Sequence, residues 1–254
     1  MNVQVEREGP VTIVTIDRPA VRNAVDPATA EALRAAFDTF EADEAAAVAV
    51  LTGAGGHFCA GYDLKAFAAH GTDYDPAGEG PMGPTRRLLA KPVIAAVEGY
   101  AVAGGLELAL WCDMRIAAEG ATFGVFCRRW GVPLIDGGTV RLPRIVGQGR
   151  ALDLILTGRP VAAAEALAMG LANRVVPDGE ARATAANIAQ HIAAFPQLCM
   201  RTDRTSACAA FDSDLPSALR AEAAAGEAPV RDGAREGAAR FAAGVTLRGT
   251  FDNI

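Results

Sequence analysis

The chain opens with two β-type runs, Val3–Glu6 and Val11–Ile16, and the break between them, Glu8-Gly9-Pro10, has the composition of a hairpin turn. Asp17 to Ala24 then leaves the sheet pattern. Leu33, Phe37 and Phe40 recur at helical spacing behind Asp26, an N-cap residue, and Pro27, a first-turn proline, which predicts a helix over Pro27–Ala42. Further apolar runs predict strands at Ala47–Thr52, Pro92–Val97 and Met114–Ala117. Helices are expected at Arg150–Leu156, closed by Gly158, at Ala162–Met169, at Glu180–Ala194 and through most of Leu198–Gly244. After the loop Gly53–Phe58 and the segment Cys59–Ala69, residues His70–Pro84 are rich in Gly, Pro and Asp and predict a mobile surface excursion. Strands alternate with helices in the first two thirds and the last third is helical, so the expected class is α/β with a C-terminal helical trimerisation or lid module.

Composition narrows the partners. At 254 residues, 51% hydrophobic and 21% charged, the chain can bury a full core as a soluble globular protein. Its net charge is −6 and no Lys/Arg cluster exceeds a pair, which argues against nucleic acid or an anionic membrane as the main partner. The N-terminal Met-Asn-Val-Gln-Val-Glu-Arg has no basic region followed by an apolar core, and no apolar run reaches the length of a membrane span, so a cytoplasmic protein is expected. Five cysteines without a Cys-x-x-Cys and three unclustered histidines predict free thiols and no structural metal.

The stretch richest in chemistry is Lys91 to Leu110, a buried apolar strand that runs through Ala103-Gly104-Gly105 into a helix carrying one carboxylate, Glu107. Glycine admits close approach to the main chain, and first-turn N–H groups have no intrahelical acceptor, so the segment can hold a developing negative charge. A second glycine run, Gly53-Ala-Gly-Gly-His-Phe58, begins like a dinucleotide-binding Gly-x-Gly-x-x-Gly but has Phe58 at the third glycine, and reads as a tight turn.

Several motifs then fall in one order: Arg18-Pro-x-x-x-Asn-Ala24, Phe58-Cys-Ala-Gly-Tyr-Asp-Leu64, Lys91-Pro-Val-Ile-Ala-Ala, Ala103-Gly-Gly-Leu-Glu107, Cys112-Asp113, Phe123-Gly124, Arg141-Leu-Pro-Arg-Ile-Val-Gly147 and Ala162 to Leu171. Together they resemble the enoyl-CoA hydratase/isomerase family, the crotonases, across residues 3 to 177, and Asp232-Gly-Ala-Arg-Glu-Gly237 followed by Phe241 looks like the family's closing helix. The resemblance implies a spiral of ββα turns over residues 1–195 holding a CoA-thioester site, and a helical trimerisation region over 196–254. It also implies a homotrimer or homohexamer, and coenzyme A as part of an acyl-CoA substrate with no tightly bound cofactor. By the same resemblance the amides of Tyr62 and Gly104 form an oxyanion hole, and Arg22, Ala24, Ala60, Tyr62, Asp63, Leu64 and Gly104 contact the CoA portion. A solvated surface position is the other reading of Arg22.

The acid and base groups depart from the hydratase pattern. Hydratases use two glutamates; the first matches Glu107, and the second falls on Cys127, a thiol that is mostly protonated at pH 7 and a poor carboxylate substitute. Asp136 lies one position from where some family members, the dienoyl-CoA isomerases and an aromatic dehalogenase, carry a catalytic aspartate. It is either a catalytic partner of Glu107 or an N-cap for a helix starting at Gly137. Glu107 has an alternative as well, an ion pair with Arg128 or Arg129, and those two arginines beside Trp130 are candidates for shaping an anionic acyl pocket. The expected activity is addition of water to a trans-2-enoyl-CoA. The alternatives are another enolate reaction (isomerase, thioester hydrolase or dehalogenase), a non-catalytic acyl-CoA binding protein, or a Rossmann oxidoreductase.

Overall fold

The computed structural model describes residues 2–71 and 74–244. Its first elements follow the apolar pattern closely. Strands β1 (Val3–Glu8) and β2 (Val11–Ile16) pair antiparallel in the register Val5↔Val14, and β2 then pairs parallel with β3 (Val48–Gly53). Between them lies α1 (Pro27–Ala42), whose N-cap Asp26 accepts from the Thr29 amide and whose Leu33, Phe37 and Phe40 are buried. At the other end of α1, buried Lys91 donates to the carbonyls of Phe40 and Asp43, supplying a cation to helix-terminal acceptors. Strands β4 (Val93–Val97), β6 (Met114–Ala118) and β9 (Arg174–Val176) complete a six-stranded sheet in the order β1-β2-β3-β4-β6-β9, parallel apart from its first pair.

A second sheet of three short strands, β5 (Tyr100–Val102), β7 (Thr122–Gly124) and β8 (Val161–Ala162), is absent from the apolar pattern. It reveals the repeat. Three successive turns each place a first strand in the large sheet, a second extended piece beside the small one, and then a helix. In the first turn β3 is followed by Cys59, which bridges to Ala101, and by α2 (Leu64–His70). The second runs β4, β5, α3 (Gly104–Trp111); the third runs β6, β7, a 3-10 turn at Phe126–Trp130, and α4 (Gly138–Val146). Helices α5 (Gln148–Thr157), α6 (Ala163–Ala168) and α7 (Ala181–Ala194) follow the expected spans within a few residues.

By compactness the chain divides between Ala189 and Gln190. The second unit holds α8 (Gln197–Ala209), α9 (Leu215–Ala225), capped by Asp214, then α10 (Glu227–Pro229), one π-turn, and α11 (Arg235–Ala242). No helix among the described residues is long and apolar enough to cross a membrane.

Of the expected excursion His70–Pro84, residues 72 and 73 lie outside the described residues, 74–77 are exposed, and burial begins at Gly80. Gly80 and Gly83 bridge, and Met82, Pro84 and Thr85 are buried. The composition that suggested mobility instead lets the backbone dive under the cavity described next. Arg86 knits the remainder, donating to the carbonyls of Asp75, Pro76, Gly78 and Ile135 and to the Tyr74 hydroxyl.

Candidate active site

Two chain segments cross where β5 enters α3. The Cys59 segment zips onto β5, with Cys59 N donating to the Tyr100 carbonyl (2.8 Å) and Val102 N donating to that of Cys59 (3.1 Å). The crossing is tight enough that a methyl on Gly61 would lie 3.0 Å from Gly104 N. Val25 exchanges bonds with Gly61 and Asp63, which turns the intervening Tyr62 amide the opposite way. The Gly104 amide opens α3, where no i−4 carbonyl exists for it. Neither amide has a protein acceptor among the described residues, and both residues line one cavity of about 630 Å³. Ala103, the residue before Gly104, holds φ 54°, ψ −126°, a conformation that costs an L-residue of order 1–3 kcal/mol.

Across the cavity stand two carboxyls. Glu107 is 3% exposed, and its Oε1 accepts from the main-chain amides of Asp136 (2.9 Å) and Gly138 (2.8 Å). Gly138 permits this approach, since a methyl there would lie 2.9 Å from Oε1. Asp136 is 2% exposed; its Oδ1 accepts from Met82 N (3.0 Å) and from the Thr85 hydroxyl. Each carboxyl is thus anchored through one oxygen, and the other oxygen has no partner among the described residues. Burial pushes Glu107 up to about 7, and the Asp136 charge adds to the shift against the opposing pull of the two amides and Arg141. Burial also raises Asp136, opposed by Thr85, Met82 N and the charges of Arg86 and Arg141.

The other walls are apolar: Leu64 and Phe67 from α2, Met82, Phe126, Val132 and Ile135, with Tyr74 and Trp130 exposed near the mouth. Arg22, left-handed at φ 51°, lies over the Tyr100 ring at 5.7 Å and reaches the same cavity. Cys127 lines it too, a buried thiol whose pKa is raised by burial and then by the charge of Glu107.

Residues 6–245 match the family Enoyl-CoA hydratase/isomerase. The chain belongs to that family. Among curated relatives, enoyl-CoA hydratase EchA19 of Mycobacterium tuberculosis is 43% identical over 215 residues, 80% of each chain. A carnitinyl-CoA dehydratase of Salmonella typhi is 40% identical over 196 residues, 75% of this chain and 74% of the other. Among solved structures, an enoyl-CoA hydratase of Mycobacterium tuberculosis superposes with a TM-score of 0.89 at 37% identity, covering 95% of this chain and 96% of that one. EchA1 of Mycobacterium marinum gives 0.90, also at 37% identity, with 96% of each covered. The fold is the crotonase fold of this family.

Of the residues singled out from the family motifs, the structure gathers Arg22, Ala60, Tyr62, Leu64, Gly104, Glu107 and Asp136 around the one cavity. Ala24 and Asp63 stand behind it. The Ala24 carbonyl accepts from Arg18, and Asp63 caps α2 through Lys65 N and Ala66 N while pairing with Arg18 at 3.2 Å. Asp136 does not cap α4, because Gly137 occupies that position and the carboxyl turns inward. Glu107 is held by amides and not by Arg128 or Arg129. Arg128 donates to the Ile155 carbonyl and Arg129 lies over Phe126; neither lines the cavity, so the expected anionic pocket is not built by them. The turn Gly53–Phe58 opens no helix and is tied down by Asn23, which donates to the carbonyls of Ala54 and His57. Met82 and Thr85 were not foreseen, having no periodic or motif signal in a stretch of Gly and Pro.

Proposed function

We propose that this protein adds water across the double bond of a trans-2-enoyl-CoA. The Tyr62 and Gly104 amides donate hydrogen bonds to the thioester oxygen as it gains enolate charge, with Glu107 as the principal acid and base. Family membership and the names of the relatives support the reaction class; the single observation that carries the roles is the pairing of two acceptor-free amides with a buried carboxyl in one cavity. Water gives a proton to the free oxygen of Glu107 while its oxygen bonds to the β-carbon. The double-bond electrons move onto the thioester oxygen, and as the enolate collapses protonated Glu107 returns that proton to the α-carbon. A base near pH 7 is suited to both transfers, because neither protonation state is scarce. Preorganised amides in a dry site favour the enolate over the neutral thioester, an effect worth about 3–4 kcal/mol per donor in comparable sites.

Coenzyme A enters as part of the substrate, with Arg22 near its phosphates, and no resident cofactor is ascribed to the chain. Cys127, where the second hydratase glutamate is expected, serves in this reading as a neutral wall, and Asp136 supplies the second carboxyl. Exposed Leu215, Leu219 and Phe241 on the C-terminal helices support a homotrimer or homohexamer, and we place the protein in the cytoplasm. Light scattering checks the assembly.

The test is incubation with short and medium trans-2-enoyl-CoA in heavy water, reading water addition and deuterium uptake separately by mass spectrometry. Water addition that disappears in Glu107→Ala supports the proposal. A second reading, an isomerase-type or other enolate reaction, is favoured by the shift of the second carboxyl to Asp136; it gives deuterium uptake without water addition. Binding without either signal leaves a CoA-thioester binding protein.

A further inference from the structure

Glu107 and Asp136 are anchored by two separate pieces of chain. Glu107 rests on the amides of the turn 136–138, while Asp136 rests on Met82 and Thr85, more than fifty residues earlier in the chain. One side chain ties these two pieces together. From the first turn of α4, Arg141 donates through Nη1 to the Asp136 carbonyl (3.0 Å) and through Nη2 to the Thr85 carbonyl (2.6 Å). A methyl on Gly137 would lie 2.1 Å from Nη1, so the guanidinium fills the space over the turn itself.

We propose that Arg141 is a positioning residue, a two-pronged bridge that holds the Glu107-anchoring turn against the Asp136-anchoring segment and so fixes the spacing of the carboxyl pair. A planar fork is required to span two carbonyls on separate loops; an ammonium reaches one of them. The inference rests on the proposed role of Glu107. The charged and titratable groups facing Glu107 are Asp136 ahead of α4, Arg141 within it and Cys127 on the 3-10 turn, while Arg141 itself also faces Cys112 and Arg144. Removing the cation takes away one of the groups that offset the Asp136 charge and raises the pKa of Glu107 further.

The experiment compares Arg141→Met and Arg141→Lys with wild type in the pH dependence of kcat and KM on a short trans-2-enoyl-CoA, with melting temperature as a control. In parallel, isotope-edited infrared titration of Glu107, assigned with Glu107→Gln, reads its ionisation without turnover. In Arg141→Met, kcat falls about 100-fold with KM within a few-fold, since small misplacement of a catalytic group carries losses of that order. Its acidic limb and the Glu107 infrared titration both move up by about one pH unit. Arg141→Lys keeps the limb near wild type but loses about tenfold in kcat. A folded Arg141→Met with wild-type kcat and an unmoved Glu107 titration overturns the proposal, as does a defect confined to KM. If the Met variant does not fold, full kcat in a folded Arg141→Lys overturns it equally. Wild type without enoyl-CoA turnover counts against the hydratase reading alone, because the infrared titration still tests the bridge.

Discussion

Glu107→Gln separates the chemical role of this side chain from its effect on the fold, and the two move in opposite directions. Folding raises the Glu107 pKa from 4.5 to about 7. The folded protein therefore retains a proton that the unfolded chain releases, and the stability this contributes is present below pH 4.5 and lost as pH rises through about 7. At about 1.36 kcal/mol for each pH unit between the two values, the loss amounts to about 3 kcal/mol by pH 8. Glutamine titrates nowhere in this range, and its carbonyl oxygen still accepts from the amides of Asp136 and Gly138. The variant is thus expected to outlast wild type by about 3 kcal/mol at pH 8, or about 6–12 °C in Tm, and to show little difference near pH 4.5. Activity falls about 10²–10⁴-fold in the same variant. Urea unfolding of both proteins at intervals from pH 4.5 to 8 measures the difference directly, since all other groups titrate in both. A difference that stays flat across that interval refutes the argument that burial, rather than some general property of the site, sets the ionisation of Glu107.

Gly104→Ala places a methyl 2.5 Å from Met82 Sδ, displacing the first amide of α3; kcat is expected to fall about 10²–10³-fold while CoA affinity by calorimetry changes only a few-fold, and wild-type kcat contradicts the oxyanion role. Asp136→Asn keeps an acceptor for Met82 N but removes the charge that raises Glu107, so the acidic limb of the pH–rate profile moves down. An unmoved limb means that the two carboxyls do not communicate. Ala103→Gly relieves the positive-φ conformation at a smaller entropic cost, and is expected to stabilise the protein by about 1 kcal/mol in urea.

Long elements with conventional signals were legible in the sequence: α1 carries Asp26, Pro27 and an apolar face, and β3 and β4 at the centre of the large sheet are near-continuous apolar runs, whereas the three-residue edge strand β9 was not predicted. The small sheet was not, because strands of two or three residues are too short for any period to register. Helix α4 entered only as an alternative reading of Asp136, because Pro143 inside it and Gly137 and Gly138 at its start weaken the helical signal. At the site, Glu107 and Gly104 were readable because a carboxylate follows a glycine-rich helix start. Met82, Thr85 and Arg141 were not, since their relation to the site is made by main-chain atoms of residues far away in sequence. Two neighbouring arginines drew attention by charge, yet Arg128 and Arg129 do not line the cavity, while Arg141, noted only as part of a family motif, bonds the Asp136 and Thr85 carbonyls beside it.

The way Glu107 is held has a consequence for how this scaffold diversifies. Its anchors are two amide hydrogens, which every residue but proline provides, so exchange of the side chain at position 136 leaves both donors to Glu107 in the chain. Cys127 makes no hydrogen bond to those anchors among the described residues. New acids, thiols or apolar groups can therefore be introduced at these positions opposite a carboxyl whose own hydrogen bonds stay in place. Only glycine at 138, whose missing methyl leaves room for Oε1, is committed. Reaction type becomes a peripheral choice made on an unchanging centre.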